Sequence, residues 1–339
     1  RARGIRMMTY INPFLVDPSQ KGSFRRNLYA EARDKGLLIK NQQGETYPIM
    51  NTDFSAALLD LSNPEAQTWI KDVIKTELIG SGASGWMADF GEALPFDARI
   101  HAEMGAPAYH NVYPVDWARL NREAIQEAGL EGDAVVFTRS GFTRSPGYST
   151  LFWAGDQLTS WRKEDGIKSL VTAILSSGMS GISLNHGDIG GYTATTVPQI
   201  PFRLPFLGYS RGRELMLRWI ELCAFTAVYR THEGNQPNRN HQINDDELTM
   251  THFARFARVY RALAPYRATL MQAAADHGYP VVRHPWLNYP DDPEVLNLRY
   301  QFMLGDQVMI APVLDPRRED VRIYLPAGDW GHLWSGQTV

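Results

Sequence analysis

Short apolar runs alternate with helical patterns along most of the chain, and this alternation constrains the fold more than any other feature. Strand-like runs cover residues 5–14, 85–92, 133–140, 151–156, 181–185 and 227–230, and helical patterns cover residues 64–78, 116–128, 167–177 and 211–224. Such alternation is typical of parallel βα units. An open dinucleotide-binding sheet would need a G-x-G-x-x-G turn after an early strand, and the sequence has none. We therefore predict an α/β fold, a (β/α)8 barrel without its first strands.

The composition changes beyond Asn244, which predicts a second domain. Helical patterns at 245–263 and 266–277 give way to short apolar runs separated by prolines. We expect barrel strands 3 to 8 with their helices over residues 1–308, and the start of a C-terminal β-sandwich domain over 309–339. The polar segment 17–52 has no sustained period and is expected to be irregular. Both ends read as interior β segments, so we expect a piece of a longer protein that does not fold alone.

Composition and charge exclude several classes of protein. An apolar fraction of 44% and a charged fraction of 21% are those of a soluble globular chain. A net charge of −3 argues against nucleic-acid or anionic-membrane partners, which require a basic face. Cys223 is the only cysteine, so no intrachain disulfide can form, and its apolar helical surroundings indicate a core residue. A reducing, cytoplasmic compartment fits this cysteine usage.

Two aspartates stand where apolar runs end. Asp89 follows Trp86-Met87-Ala88, and Asp156 follows a second run of the same form. The carboxyl ends of parallel strands form the edge at which barrel enzymes hold their active sites. Either aspartate alone is more often a cap or a turn residue. Together they predict a pair of carboxyl groups at one site.

Other residues at the same strand ends have a chemistry that suits a sugar. The candidates for substrate binding are Glu92, Arg139, Trp153, Asp188, Tyr192 and His232. Carboxylates, histidine and arginine bind hydroxyl groups, while aromatic rings stack on the apolar face of a sugar ring. The sequence therefore predicts a small-molecule carbohydrate substrate and no cofactor. A homo-oligomer is left open.

Cleavage of a glycosidic bond needs two carboxyl groups in different protonation states. Arg139 at the neighbouring strand end favours an ionised Asp89, and the apolar residues before Asp156 favour a protonated acid. Spacing in sequence does not give the distance between the two groups. Retention or inversion of the anomeric centre is therefore undecided at this level.

The loop that follows the run at 181–185 is also compatible with two other kinds of site. His186 and Asp188, with His232 and the two aspartates, could surround a divalent ion, as in a metal hydrolase. The sequence has no His-x-His pair and no two histidines one helical turn apart, so we predict no metal. The Gly190-Gly191 pair could hold a phosphate, but no lysine follows it.

Four motifs in combination resemble glycoside hydrolase family 31. They are W-M-A-D-F-G-E at 86–92, T-R-S at 138–140, F-W-A-G-D at 152–156 and G-D-I-G-G at 187–191. The family consists of retaining α-glycosidases built on a (β/α)8 barrel between β-sandwich domains, and the resemblance covers most of the chain. It implies that Asp89 is the nucleophile and Asp156 the general acid/base. It also implies that Arg139, Asp188 and His232 hold sugar hydroxyls.

Within the family the chain is most similar to the sulfoquinovosidases, which cleave α-glycosides of 6-sulfo-6-deoxyglucose. Ordinary α-glucosidases usually carry W-x-D-M-N-E around the nucleophile and Phe after the Gly-Gly pair, where this chain has Tyr192. In that group the tyrosine hydroxyl helps to bind the sulfonate, and the remaining Arg and Trp of the pocket are expected before Arg1. The resemblance implies hydrolysis of α-sulfoquinovosides such as sulfoquinovosyl glycerol. The alternatives are an α-glucosidase or α-xylosidase, and an inactive sugar-binding relative that the two aspartates argue against.

Overall fold

The computed structural model describes residues 4–51, 54–195 and 209–339. The chain divides into two compact units, Arg1–Phe152 and Trp153–Val339. Each unit has its own hydrophobic core. In the described residues, no helix has both the length and the apolar character needed to cross a membrane.

The first unit is built from short strands and helices in alternation. Its strands are β1 (Thr9–Ile11), β2 (Phe14–Leu15), β3 (Ile49–Asn51), β4 (Phe54–Leu58), β5 (Gly85–Ala88), β6 (Val135–Thr138) and β7 (Leu151–Trp153), the last of which crosses the boundary. Its helices are α1 (Leu28–Asp34), α2 (Pro64–Val73), α3 (Gly105–Tyr109) and α4 (Tyr113–Glu127), with a π-helical segment at Ile74–Ile79 and a 3-10 turn at Ser145–Gly147.

Parallel strands form the centre of the first unit, in the order β1-β5-β6-β7. Ala88 pairs with Ile11 on one side and with Thr138 on the other. Asp89 and Arg139, the next residues, therefore leave adjacent strands at the same edge. The parallel arrangement predicted from the sequence is confirmed. Helix α1 and strand β3 lie within the segment 17–52 that was expected to be irregular, and β3 belongs to a separate antiparallel sheet of order β2-β4-β3.

Helix α2 begins where the sequence predicts. The Asn63 side chain accepts a hydrogen bond from the Glu65 N–H at 2.9 Å, and Pro64 occupies the first helical turn, where no N–H partner is lost. Trp69 and Ile70 face the core and are almost fully buried. The predicted helix at 64–78 is confirmed, with its last turn in π-helical form.

A buried hydrogen-bond chain ties helix α4 to the strand that carries Asp89. The Trp86 indole N–H donates to Asn121 Oδ1 at 2.7 Å, and Asn121 Nδ2 donates to the Trp117 carbonyl at 2.8 Å. The Trp117 indole N–H then donates to the backbone carbonyl of Asp89 at 3.1 Å. Trp86, Trp117 and Asn121 are fully buried. Because a buried indole N–H must find an acceptor, this chain fixes the backbone at the strand end.

The described part of the second unit consists of helices, the short strand β8 and a small antiparallel sheet. Its elements are α5 (Ile167–Met179), β8 (Asn185–His186), α6 (Arg213–Cys223), α7 (Glu247–Ala262), α8 (Ala264–His277), β9 (Val282–Arg283), β10 (Phe302–Leu304) and β11 (Val308–Ile310), with 3-10 turns at Pro285–Leu287 and Pro293–Asn297. Strands β9, β10 and β11 pair in an antiparallel sheet with β10 in the centre.

In the second unit, one predicted strand is not formed, whereas the predicted core position of Cys223 is confirmed. Residues 227–230 form no strand; the contact there is a single parallel bridge between Ile189 and Thr231. Cys223 is fully buried, and burial raises the pKa of its thiol, so the prediction of a core residue is confirmed. The division into domains at 308/309 remains a prediction.

Candidate active site

Asp89 extends from the end of β5 and both of its carboxylate oxygens are held. Oδ2 accepts from the Tyr10 hydroxyl at 2.6 Å, and Oδ1 accepts from the Phe90 N–H at 2.8 Å. The Arg139 Nη1 lies 3.3 Å from Oδ1. The residue is 8% exposed, so the group is largely shielded from solvent while it retains three polar partners. Two hydrogen-bond donors and an adjacent guanidinium therefore fix the orientation of the Asp89 carboxyl group.

Arg139 joins the other predicted residues of the first unit. Its Nε donates to Glu92 Oε1 at 3.0 Å, while its guanidinium carbon lies 4.0 Å from the centroid of the Phe90 ring. Asp89, Glu92 and Arg139 are thus brought together as the strand-end argument predicts. The arginine is fixed by a carboxylate on each side and an aromatic face beneath it.

The backbone directly after Asp89 is in a sparsely populated conformation. Phe90 has φ +59°, and Gly91 has φ +111°. The carbonyl of Phe90 accepts from the Ser140 hydroxyl at 2.6 Å, and the Phe90 ring meets Phe14 edge to face at 5.1 Å. A left-handed conformation is unusual for a bulky residue and persists only where surrounding contacts fix it. The turn therefore places the Phe90 N–H against the Asp89 carboxylate.

Asp188 is the buried charge of the second unit. It is 2% exposed and forms a short ion pair with the Arg230 guanidinium. Burial raises the pKa of Asp188, and the nearby guanidinium groups of Arg230 and Arg211 oppose this shift. His186, also buried, accepts at Nε2 from Arg230 Nε at 3.2 Å. The loop after β8 thus carries a paired carboxylate rather than a solvent-exposed one.

Tyr192 and His232 lie together in the second unit. Their rings meet edge to face with centroids 4.8 Å apart, and His232 Nδ1 accepts from the Gly234 N–H at 3.0 Å. The carbonyl of Tyr192 accepts from the Asn235 N–H at 3.1 Å. Three of the predicted binding residues, Asp188, Tyr192 and His232, therefore share one group of loops.

Asp156 and Trp153 stand at the end of β7. Trp153 is 2% exposed, whereas the Asp156 side chain lies at the surface of the second unit. The Asp156 carbonyl accepts from the Thr193 hydroxyl at 3.0 Å, which links its backbone to the loop of Tyr192. The protonated state expected for Asp156 remains a prediction.

Sequence reasoning missed two residues that hold the site. Tyr10 stands on β1 just before its end, so the strand-end argument could have included it. Arg211 is 1% exposed and donates to the carbonyls of His241 at 2.7 Å, His232 at 3.0 Å and Gly191 at 3.1 Å. Burial lowers the pKa of Arg211 to about 10. Nothing in its polar sequence neighbourhood distinguishes it from a surface arginine.

The chemistry available to these groups is that of carboxylates and hydrogen bonds. Among residues 4–51, 54–195 and 209–339, no group of three or more His, Cys, Asp or Glu side chains could hold a metal ion. The first unit presents a carboxyl group whose two oxygens are held by hydrogen bonds, and the second presents an exposed aspartate beside a polar, aromatic loop group. These are components of acid/base and nucleophilic chemistry on a polar substrate.

Sequence profiles assign this α/β chain to a class of carbohydrate hydrolases. Residues 1–272 match the TIM-barrel domain of glycosyl hydrolases family 31, and residues 278–339 match the C-terminal domain of the same family. The chain belongs to glycosyl hydrolase family 31. The predicted barrel followed by a C-terminal domain is confirmed.

Comparison with individual relatives shows a more specific similarity within the family. The chain is 41% identical to a sulfoquinovosidase of Escherichia coli K12 over 99% of its length and 47% of that protein. It is 36% identical to a sulfoquinovosidase of Agrobacterium fabrum over 99% of the chain and 48% of that protein. A solved family 31 sulfoquinovosidase from E. rectale, in complex with the aza-sugar inhibitor IFGSQ, superposes with a TM-score of 0.92 at 40% identity, covering 100% of this chain and 48% of that one. The chain therefore spans about half the length of these relatives.

Proposed function

We propose that the full-length protein is a retaining α-glycosidase that hydrolyses α-sulfoquinovosides, with Asp89 as nucleophile and Asp156 as general acid/base. The observation behind the proposed substrate is that sequence identity is higher with sulfoquinovosidases than with other relatives of the family. Identity is 41% with a sulfoquinovosidase but 29% with the 1,3-alpha-isomaltosidase of Kribbella flavida, each over nearly the whole chain. The fixed carboxylate of Asp89 supports the chemical part.

The reaction proceeds in two displacements at the anomeric carbon C1. In the first, an Asp89 oxygen forms a bond to C1 while the bond from C1 to the aglycone oxygen breaks, and Asp156 gives its proton to that oxygen. In the second, Asp156 takes a proton from water, the water oxygen bonds to C1, and the bond to Asp89 breaks. Two inversions give net retention, and both carboxyl groups return to their starting states.

Tyr192 is the residue of the described chain that we assign to the sulfonate. A phenol hydroxyl can donate to a sulfonate oxygen, which a Phe cannot do. The ring packs edge to face against His232, and the Tyr192 carbonyl is held by Asn235, so the side chain starts from a fixed backbone. Glu92, Arg139, Trp153, Asp188 and His232 complete the proposed substrate-binding set.

The first test compares substrates with the full-length enzyme. We expect a higher kcat/KM for 4-nitrophenyl α-sulfoquinovoside than for 4-nitrophenyl α-glucoside, and Tyr192→Phe should reduce that ratio by roughly 10-fold, the value of about one hydrogen bond to a charged group. Equal or better turnover of the glucoside would favour the alternative α-glucosidase or α-xylosidase activity. A lack of turnover of either glycoside would favour the inactive sugar-binding relative.

The second test separates the two carboxylates by stereochemistry. With azide as an external nucleophile, Asp89→Gly should form the β-azide, because one displacement inverts C1. Asp156→Gly should form the α-azide, because azide then attacks the glycosyl-enzyme formed by Asp89. Azide products of the same configuration from both variants would contradict the assigned roles.

Cytoplasmic location, which the single buried cysteine supports, is checked by cell fractionation.

A further inference from the structure

A line of three hydrogen bonds along the end of β1 leads into the Asp89 carboxylate. The Phe14 N–H donates to Asn12 Oδ1 at 2.9 Å, and Asn12 Nδ2 lies 2.9 Å from the Tyr10 hydroxyl. The Tyr10 hydroxyl lies 2.6 Å from Asp89 Oδ2.

The direction of every bond in the line is fixed by its donors. The Phe14 N–H can only donate, so it sets which end of the Asn12 amide is the oxygen. The Asn12 NH₂ group can likewise only donate, so the Tyr10 oxygen must accept from it. The Tyr10 hydrogen is then left to point at Asp89. A free phenol rotates its hydrogen, whereas this one is held on the carboxylate.

Tyr10 retains its proton in this arrangement. Tyr10 is 50% exposed as a whole, but partial burial of its hydroxyl, and then the hydrogen bond of that hydroxyl to Asp89, raise the pKa of Tyr10 above the ordinary value. The other carboxylate oxygen, Oδ1, has different partners: the Phe90 N–H and the Arg139 guanidinium. In the described part of the first unit, Asp89 contacts the titratable or charged side chains of Tyr10 and Arg139, and Arg139 in turn contacts Glu92.

We propose that Tyr10, oriented by Asn12, is a positioning residue that stabilises Asp89 as the carboxylate leaving group of the second displacement. The inference rests on the proposed function, because it requires Asp89 to form a glycosyl ester. The charge on Asp89 disappears when the ester forms, and it returns when the ester breaks. A hydrogen bond to a charged oxygen is stronger than one to a neutral oxygen, so Tyr10 assists the second step more than the first.

The test uses Tyr10→Phe in the full-length enzyme, with Tyr47→Phe as the matched control. Tyr47 also donates its hydroxyl to a carboxylate of the first unit, Asp97 Oδ1 at 2.9 Å, but it does not contact Asp89. Tyr10→Phe should lower kcat by roughly 10- to 100-fold, the value of a hydrogen bond to a charged group. KM should fall with kcat because the intermediate accumulates, and 4-nitrophenol should appear in a burst.

The pH profile distinguishes this role from a general structural one. Loss of a donor favours protonation of the nucleophile, so the acid limb of kcat/KM should move to higher pH in Tyr10→Phe and stay in place in Tyr47→Phe. Asn12→Ala should move it in the same direction by a smaller amount, because the hydroxyl remains but is no longer directed.

The outcomes separate this inference from the function on which it rests. An inactive Asp89→Asn enzyme combined with a Tyr10→Phe enzyme that matches Tyr47→Phe in kcat, KM and pH profile would overturn the role of Tyr10 alone. A fully active Asp89→Asn enzyme would overturn the nucleophile assignment and the role of Tyr10 with it. A shifted acid limb, a burst and a parallel fall of kcat and KM support the proposal.

Discussion

Substitution of Gly190 by Ala tests whether the Asp188–Tyr192 loop depends on its contact with Arg211. Gly190 has φ +93°, and a Cβ atom there would lie 2.3 Å from Arg211 Cδ and 2.7 Å from Arg211 Nη1. Gly181 has a similar φ of +88°, but a Cβ there meets nothing within 4 Å. The two Gly→Ala variants share the backbone strain and differ in the collision with Arg211.

The structure sets the size of the difference. An L-residue in the left-handed region costs about 1–2 kcal/mol at either position. At Gly190 the arginine must also move, although it is buried and donates to the carbonyls of His241, His232 and Gly191. Losing two such charged hydrogen bonds costs a further ~3–6 kcal/mol. For a unit of 150–250 residues, each kcal/mol lowers Tm by about 2–4 °C.

Thermal unfolding of the full-length variants at one scan rate measures the effect. Gly190→Ala should melt at least about 6 °C below Gly181→Ala. A double-mutant cycle with Arg211→Ala identifies the cause: in that background the Gly190 substitution should be less harmful, because the colliding side chain is gone. Equal Tm values for the two alanine variants, or strict additivity in the cycle, would refute the argument.

Two further predictions concern single buried polar groups. Asn121→Ala should lower stability by about 2–4 kcal/mol in denaturant titrations, because it leaves the buried Trp86 N–H without an acceptor and creates a cavity; an unchanged midpoint would contradict this. Burial raises the pKa of Asp188 in the folded protein above its ordinary 3.8. The stabilisation that the protonated Asp188 side chain contributes to the folded state is therefore fully present below pH 3.8, and it is lost as the pH rises through the folded-state pKa. The Tm of the wild type should therefore decline relative to that of Asp188→Asn as pH rises from 3.8, and a constant difference would contradict it.

Long elements with local signals could be predicted from the sequence. The Asn63-Pro64-Glu65 start and the apolar spacing after it determine helix α2 almost by themselves, because a cap and a buried face are both local properties. Helix α1 was missed because its seven residues, Leu28–Asp34, bury only Ala32 fully. A helix that short has no apolar period to read, and its stability comes from tertiary contacts.

The same difference between local signals and tertiary contacts decides which residues of the candidate site could be predicted. Asp89 and Arg139 could be placed side by side because parallel pairing of Ala88 with Thr138 follows from counting along adjacent strands. Arg211 could not, since most of its acceptors are backbone carbonyls from loops 20 to 30 residues away in the chain. Backbone acceptors leave no trace in the identity of the residues that supply them.

The residue types at the two positions after Asp89 follow from the geometry of the site. Phe90 is held at φ +59° with its N–H on the carboxylate, and its ring lies beneath the Arg139 guanidinium. Gly91 continues the turn at φ +111°, where a Cβ would lie 2.5 Å from the Ser140 hydroxyl that holds the Phe90 carbonyl. A side chain at Gly91 would therefore displace the group that fixes Phe90, and with it the donor to Asp89. The F-G pair is thus a requirement of the carboxylate's position, because strain at Phe90 is maintained only while the contacts of its carbonyl, ring and N–H are all present.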